Sequence, residues 1–204
     1  MEIIPTQDEV VALLEETGAL REGNFVYPNG LYSDQYLQMP LAFRSYQHAK
    51  TLSVALSRKV RANAELRAII PQLSVVAPAT GGLPVAFGVC EALRAKQVYW
   101  AERHNDSEPL RLRQFLEIQP GEKVLLVDDI LRTGSKMNEL KNLVEAAGAE
   151  VVGLAVIVAQ MAPGCPDFKP LPVYWLAELD PLNLYDAATD KLSYPDRPIE
   201  KILV

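Results

Sequence analysis

The chain reads as an α/β protein: a central parallel sheet flanked by helices, with a small N-terminal hood. Two observations predict this. From Leu73 onward a strand, turn, helix pattern repeats, and that alternation builds a parallel sheet covered on both faces. Within it, Val124-Leu125-Leu126-Val127 is wholly apolar, as a strand buried on both sides should be. Neither an internal repeat nor a low-complexity linker interrupts the pattern. Residues 1–204 therefore read as a single domain, with a hood at about 19–40 plus the C-terminal tail and a core at about 41–180.

Each element has its own signal. Thr6-Gln7-Asp8-Glu9 is a capping-box pattern followed by Val10, Val11, Leu13 and Leu14, with Gly18 as a stop. Phe25 to Tyr27, the turn Pro28-Asn29-Gly30 and Leu31 to Gln38 predict a hairpin. Ser45 is expected to cap a helix reaching about Ala62, whose inner face carries Ala49, Leu52, Ala55 and Leu56. Leu73 to Ala77 is the first core strand, Pro78 to Gly82 a turn, and Leu83 to Ala95 a helix. Gln97 to Ala101 is the next strand, and a polar stretch from Glu102 to Leu112 follows. After the strand at Val124 come a helix from about Ser135 to Ala147 and a strand from Glu150 to Ala159. The Pro-rich segment Pro163 to Pro172 precedes another apolar run, Val173 to Leu176, and then an irregular tail.

Composition excludes several classes. The chain has 204 residues, 49% hydrophobic and 23% charged, ordinary for a soluble globule. Its net charge of -6 argues against binding along a nucleic-acid backbone, though a local cradle can still hold one small anion. Cys90 and Cys165 are the 2 cysteines, too few for a disulfide framework or a zinc site. With no charged-then-apolar leader and no apolar run of about eighteen residues, a cytoplasmic protein without membrane contact is expected.

The chemistry concentrates where Asp128 and Asp129 follow the apolar run. Two adjacent carboxylates at a strand end can hold hydroxyls or a divalent metal, and ligands in open α/β sheets sit outside that end. The turn through Arg132-Thr133-Gly134-Ser135-Lys136 opens a helix, so its free N–H groups face an anion. A sugar phosphate satisfies both halves. Competing motifs fail: Gly134-Ser135-Lys136 interrupts the Gly-Lys pair of a Walker A loop, and the spaced glycines of a dinucleotide fingerprint are missing. Helix capping needs one side chain beside the helix start, not two carboxylates several residues earlier. A second turn, Ala77-Pro78-Ala79-Thr80-Gly81-Gly82, also joins a strand to a helix, and its glycines permit the close approach a diphosphate needs. The polar stretch is expected to be a mobile flap bringing Arg103, His104 or Arg111 over that diphosphate, arginine being the residue whose planar fork matches two phosphate oxygens. His48, inside a helix, reads as structural.

The strand, acid pair and Thr-Gly loop in this register resemble the 5-phosphoribosyl-1-diphosphate (PRPP) signature of type I phosphoribosyltransferases. The order of parts is similar to the orotate phosphoribosyltransferase branch over roughly Thr17 to Gln160. Gly18-Ala19-Leu20, Gly23-Asn24-Phe25 and Asn29-Gly30-Leu31-Tyr32-Ser33-Asp34-Gln35-Tyr36-Leu37 resemble its hood. Pro78-Ala79-Thr80-Gly81-Gly82 resembles its diphosphate loop, and Trp100-Ala101-Glu102-Arg103 its approach to a flexible catalytic loop. The resemblance implies a transferase joining the phosphoribosyl group of Mg²⁺-bound PRPP to a nitrogenous base, orotate by analogy. Asp128 and Asp129 would orient the ribose hydroxyls and hold the metal, directly or through water. Ile130, Leu131, Arg132, Thr133, Gly134, Ser135 and Lys136 would grip the 5-phosphate. Thr80, Gly81, Gly82 and Arg103 would receive diphosphate, with Arg103 and His104 closing over it. A homodimer is implied too, the flap of one subunit covering its partner's site.

The chain departs from that branch in five respects. Gly81 stands where a lysine is common, no lysine occurs between Lys96 and Lys123, and Pro28 replaces a hood lysine. A small hydroxyl residue usually closes the phosphate loop, where Lys136 stands. Ala159-Gln160 replaces an Asp-Arg pair whose arginine serves orotate, and a neutral Gln160 offers no charge-assisted contact to a carboxylated base. Weak or absent orotate turnover is the expectation from that substitution. Beside the transferase stand a transferase for a different base and a PRPP- or nucleotide-binding protein with lost or weak activity.

Overall fold

The computed structural model describes residues 4–105, 108–186 and 192–202. Helix α1 (Gln7–Glu16) starts on the expected capping box: Thr6 accepts from the Glu9 N–H and Glu9 from the Thr6 N–H. Strands β1 (Leu20–Val26) and β2 (Tyr32–Leu37) then form an antiparallel hairpin. It starts five residues or so earlier than its pattern predicts because the register shifts between Glu22 and Phe25. A bulge breaks the period-two alternation by which a strand is read.

Three helices follow: α2 (Pro40–Phe43), α3 (Tyr46–Ala62) and α4 (Ala64–Ile69). Ser45 occupies the N-cap of α3 but makes no capping hydrogen bond, contrary to expectation. Asn63 does cap α4, accepting from the Glu65 and Leu66 N–H groups. The remaining elements are β3 (Leu73–Pro78), α5 (Gly82–Leu93), β4 (Gln97–Glu102), β5 (Arg111–Leu112), β6 (Lys123–Leu131), α6 (Ser135–Ala146), β7 (Glu150–Ala159), β8 (Val173–Glu178) and β9 (Ile199–Lys201).

Two sheets result. The larger has the order β5-β4-β3-β6-β7-β8 and is parallel except for β5, which pairs antiparallel with β4. The polar stretch therefore ends in an edge strand, not in a free flap: Leu110 is buried and Leu112 pairs with Ala101. The smaller sheet, β2-β1-β9, is the hood, and β9 joins it from the tail, parallel to β1.

The large sheet is buried on both faces. Leu73, Val75, Leu125 and Val127 pack on the side of α3 and α5, while Val76, Val124 and Leu126 pack with Met137, Leu140 and Val144 of α6. Alternate residues of one strand thus feed two cores, which is why these strands read as continuous apolar runs.

Candidate active site

β3 and β6 pair from Leu73↔Lys123 to Val76↔Leu126 and then separate. From β3 the chain winds one way, through α5 to β4, while β6 lies on the other side. Strand order reverses at this point, and ligands of open α/β sheets bind in the crevice such a reversal leaves. The sequence places the acid pair at the carboxyl end of its strand. It lies inside β6 instead, because β7 keeps β6 extended as far as Leu131↔Ala159, through Asp128↔Val156 and Ile130↔Val158. A cleft of about 430 Å³ opens here, lined by Asp128, Asp129, Gly81, Thr133 and Lys136, with Leu37 of the hood at its rim.

The two loops meet at the carboxylates. A Cβ built on Gly81 would lie 2.5 Å from Asp129 Oδ2, and one on Gly82 would lie 3.0 Å from Asp128 Oδ1. With Asp129 placed as it is, a side chain at position 81 would have to displace the carboxylate or the turn. The Ala79–Thr80 peptide in this turn is cis. The N–H groups of Asp129 and Ile130 donate to Asp128 Oδ1 and Asp129 Oδ1 at 2.9 and 2.8 Å. Burial pushes both carboxyls above their ordinary range. At Asp128 the neighbouring Asp129 charge adds to that rise, and Lys136 pulls both back down.

That donor set fits Mg²⁺ only in part. Two hard carboxylate oxygens suit the ion, but it needs six ligands, and among the described residues no group of three or more potential ligands gathers. Substrate oxygens and water must complete any such sphere.

Past β6, Gly134 adopts a left-handed φ of 72° and leads into α6 without a capping side chain. The first turn of α6 contains Lys136 and no acid, so its N–H groups and positive dipole end are left to an anion. A Cβ on Gly134 would meet Pro166 Cδ at 2.7 Å and Cys165 Sγ at 2.9 Å. The Pro-rich segment therefore backs this turn, and the Ala162 N–H ties the two together by donating to the Arg132 carbonyl at 3.0 Å. No local pattern in residues 163–172 announces that role.

The flap residues do not come to the cleft. Arg103 forms an ion pair with Glu139 of α6 and donates to the Glu108 carbonyl at 3.2 Å. Glu139 also accepts from the Leu110 N–H at 2.5 Å, pinning the segment to α6. Arg111 pairs with Glu108 at 2.7 Å, and His104 is exposed. Asp106 and Ser107 lie outside the described residues. Among the described residues, Thr80, Gly82, Ser135, Arg103 and His104 stand outside the cleft lining, whereas Ile130, Leu131, Arg132, Thr133, Gly134 and Lys136 are part of it.

One arrangement corrects the expectation for the end of β7. Gln160, which by itself leaves this position uncharged, is 1% exposed. Arg132 donates to Gln160 Oε1 at 2.8 Å, so a guanidinium stands there after all, supplied by the loop that follows the adjacent strand β6. Residue spacing hid this, since 28 positions separate the two. Gln160 Nε2 reaches Gln35 Oε1 of the hood at 3.4 Å.

A larger hollow, about 680 Å³, lies between α3 and α5 and is lined by Phe43, Tyr46, Lys50, Pro84 and Arg94. It lacks an acid pair and a strand–helix turn, so chemistry, not volume, selects the switch-point cleft. Among the described residues no helix is long and apolar enough to cross a membrane.

Comparison with known proteins agrees with this geometry. Residues 45–171 match the phosphoribosyl transferase domain family. The chain is 34% identical to an orotate phosphoribosyltransferase of Acidithiobacillus ferrooxidans over 90% of its own length and 89% of that protein. It is 33% identical to one from Pelotomaculum thermopropionicum over 75% of each. Among solved structures, orotate phosphoribosyltransferase from Aeropyrum pernix superposes with a TM-score of 0.66 at 20% identity, over 83% of this chain and 93% of that one. On family match and relatives together, this chain belongs to the type I phosphoribosyltransferases.

Proposed function

We propose that this protein transfers the 5-phosphoribosyl group of PRPP to a nitrogenous base, orotate by analogy with its relatives, releasing diphosphate. One observation carries this: an acid pair and two glycine-bearing strand–helix turns converge on one cleft at the sheet's switch point. Departure of diphosphate from the anomeric carbon leaves positive charge on the sugar and negative charge on the leaving group. Asp128 and Asp129 hold the ribose hydroxyls and sit close enough to steady the cationic ring. N–H groups and hydroxyls of Thr133 and Ser135, with Lys136 beside them, grip the 5-phosphate. The Thr80–Gly82 turn receives diphosphate through its backbone, since any side chain at 81 would strike Asp129. Asp128 and Asp129 would hold Mg²⁺, directly or through water, and the ion would supply positive charge for the diphosphate oxygens. Holding donor and base in line supplies much of the rate gain.

Arg103 and His104 serve this reaction only after leaving their present places. The homodimer implied by the family resemblance accommodates that, with each flap acting on the partner's cleft. Exposed Tyr46 and Phe87, the latter tilted 47° against Trp100 with ring centroids 6.3 Å apart, give the α3–α5 side an apolar face for such contact. A cytoplasmic location fits a reaction on soluble nucleotide precursors.

The engaged Arg103 favours a second reading, a PRPP-binding protein with little transfer activity. Incubation with Mg²⁺, PRPP and a panel of bases, followed by mass detection of nucleotides, separates the two. Nucleotide formation supports the transferase, and calorimetric PRPP binding without product supports the binder. With Asp128 and Asp129 both changed to Asn, Mg²⁺-dependent PRPP binding should fall at least tenfold; unchanged affinity removes the acid pair from the site.

A further inference from the structure

Arg132 carries a feature that phosphate binding does not use. Its guanidinium donates to Gln160 at the end of β7, and its charge is felt by Tyr27 of the hood. Arg132 Nε and Tyr27 Oη are both buried without a hydrogen-bond partner among the described residues. Tyr27 senses the guanidinium: burial raises its phenol, and the Arg132 charge draws it partly back. Yet the bond between them does not close. No carboxylate stands within ion-pair distance of Arg132 among the described residues. Arg132 is half-buried and lines the substrate cleft, and two idle buried donors, its Nε and the Tyr27 hydroxyl, cost free energy unless an acceptor arrives.

Resting on the transferase reading above, we infer that Arg132, oriented by Gln160 and flanked by Tyr27, is the group that reads a carboxylate on the acceptor base. The positive charge that the family resemblance assigns to the end of β7 is transposed to the loop after β6. Arg132 and Gln160 have exchanged parts: the amide takes one Nη and fixes the plane of the fork, leaving other N–H groups for the ligand. A planar guanidinium matches a carboxylate with two parallel bonds, and an uncharged base gains nothing from it. Gln160 is a positioning residue, and its link to Gln35 connects the subsite with the hood. The substrate class follows: a planar nitrogen base bearing an acid group, selected over the same base without one.

The test compares orotate with uracil on the intact protein. For the native chain, kcat/KM should favour orotate. Arg132→Gln should reduce that preference about ten- to a hundredfold, the worth of a charged bidentate contact, chiefly through KM. Its affinity for Mg²⁺-PRPP should fall much less than its preference for orotate. The exchange Arg132→Gln with Gln160→Arg should recover part of the preference, because the same two groups again face the cleft. Two results overturn the inference: equal losses for both bases with a lowered Tm, which makes the cluster a latch between hood and core, or loss of PRPP affinity alone, which returns Arg132 to the phosphate site. A native chain that turns over other bases but prefers none with an acid group also refutes it while leaving the transferase reading intact. Failure to bind PRPP or form any nucleotide defeats that underlying reading instead.

Discussion

Asp128 is 5% exposed and shares its surroundings with a second carboxylate, an arrangement that works against the fold. Its proton affinity is raised by folding, so the folded state binds more protons than the unfolded chain. By linkage the penalty is absent below the ordinary carboxylate range, grows as pH rises through it, and is complete above the raised folded value. Asp128→Asn should therefore raise Tm by a few degrees at pH 7.5, and the gain should vanish near about pH 4. Thermal melts at both values check this; a loss of stability at pH 7.5 contradicts it. The same variant should bind Mg²⁺-PRPP poorly, which marks the pair as retained for the ligand. Gly81 supplies the companion test. A methyl there would stand 2.5 Å from Asp129 Oδ2, so Gly81→Ala must displace either the turn or the acid, at a cost of about 1–3 kcal/mol. PRPP affinity should drop about tenfold or more in calorimetry, while far-ultraviolet circular dichroism stays native.

At the scale of elements, the hood is held by its tail. Asn24, buried on β1, donates through Nδ2 to the Tyr194 and Arg197 carbonyls at 2.6 and 3.0 Å and accepts from the Tyr194 N–H at 3.3 Å. These bonds fasten residues 194–197 before β9 pairs with β1. Asn24→Ala leaves partners unsatisfied, at about 1–3 kcal/mol, and the loss should be local. Hydrogen exchange should quicken first at the N–H groups of Tyr194 and Ile202, the latter bonded to the Val26 carbonyl at 2.9 Å, with the large sheet still protected. Uniform loss of protection across both sheets would mean that hood and core open together.

Across the whole molecule, the double layering of helices sets what a core substitution costs. Leu125 and Leu126 are neighbours and both fully buried, yet they belong to opposite cores. Leu125→Ala and Leu126→Ala should each cost about 2–5 kcal/mol, read as similar shifts of the urea midpoint. A one-sided sheet would make one of them nearly neutral, so a large inequality tells against the layered arrangement.

Local pattern determined much of this protein. The strand–turn–helix alternation predicts β3, β4, β6 and β7 and the helices between them, missing β5 and ending β6 at Val127 instead of Leu131, since buried parallel strands and the intervening helices carry strong hydrophobic signals over a short range. Asp128, Asp129 and the turn before α6 are likewise readable, as their chemistry sits in one contiguous segment. What depends on contacts between distant residues was not. The hairpin's true start is masked by a bulge, and the tail's strand shows only against β1. The flap arginine is captured by Glu139, 36 positions away. Above all, an arginine read as a phosphate ligand reaches Gln160, because pairing of β6 with β7 brings their ends together. Spacing along the chain reports which groups share a segment. Only the packed sheet decides which groups share a site, because strand order and hood placement arise from burial summed over the whole fold.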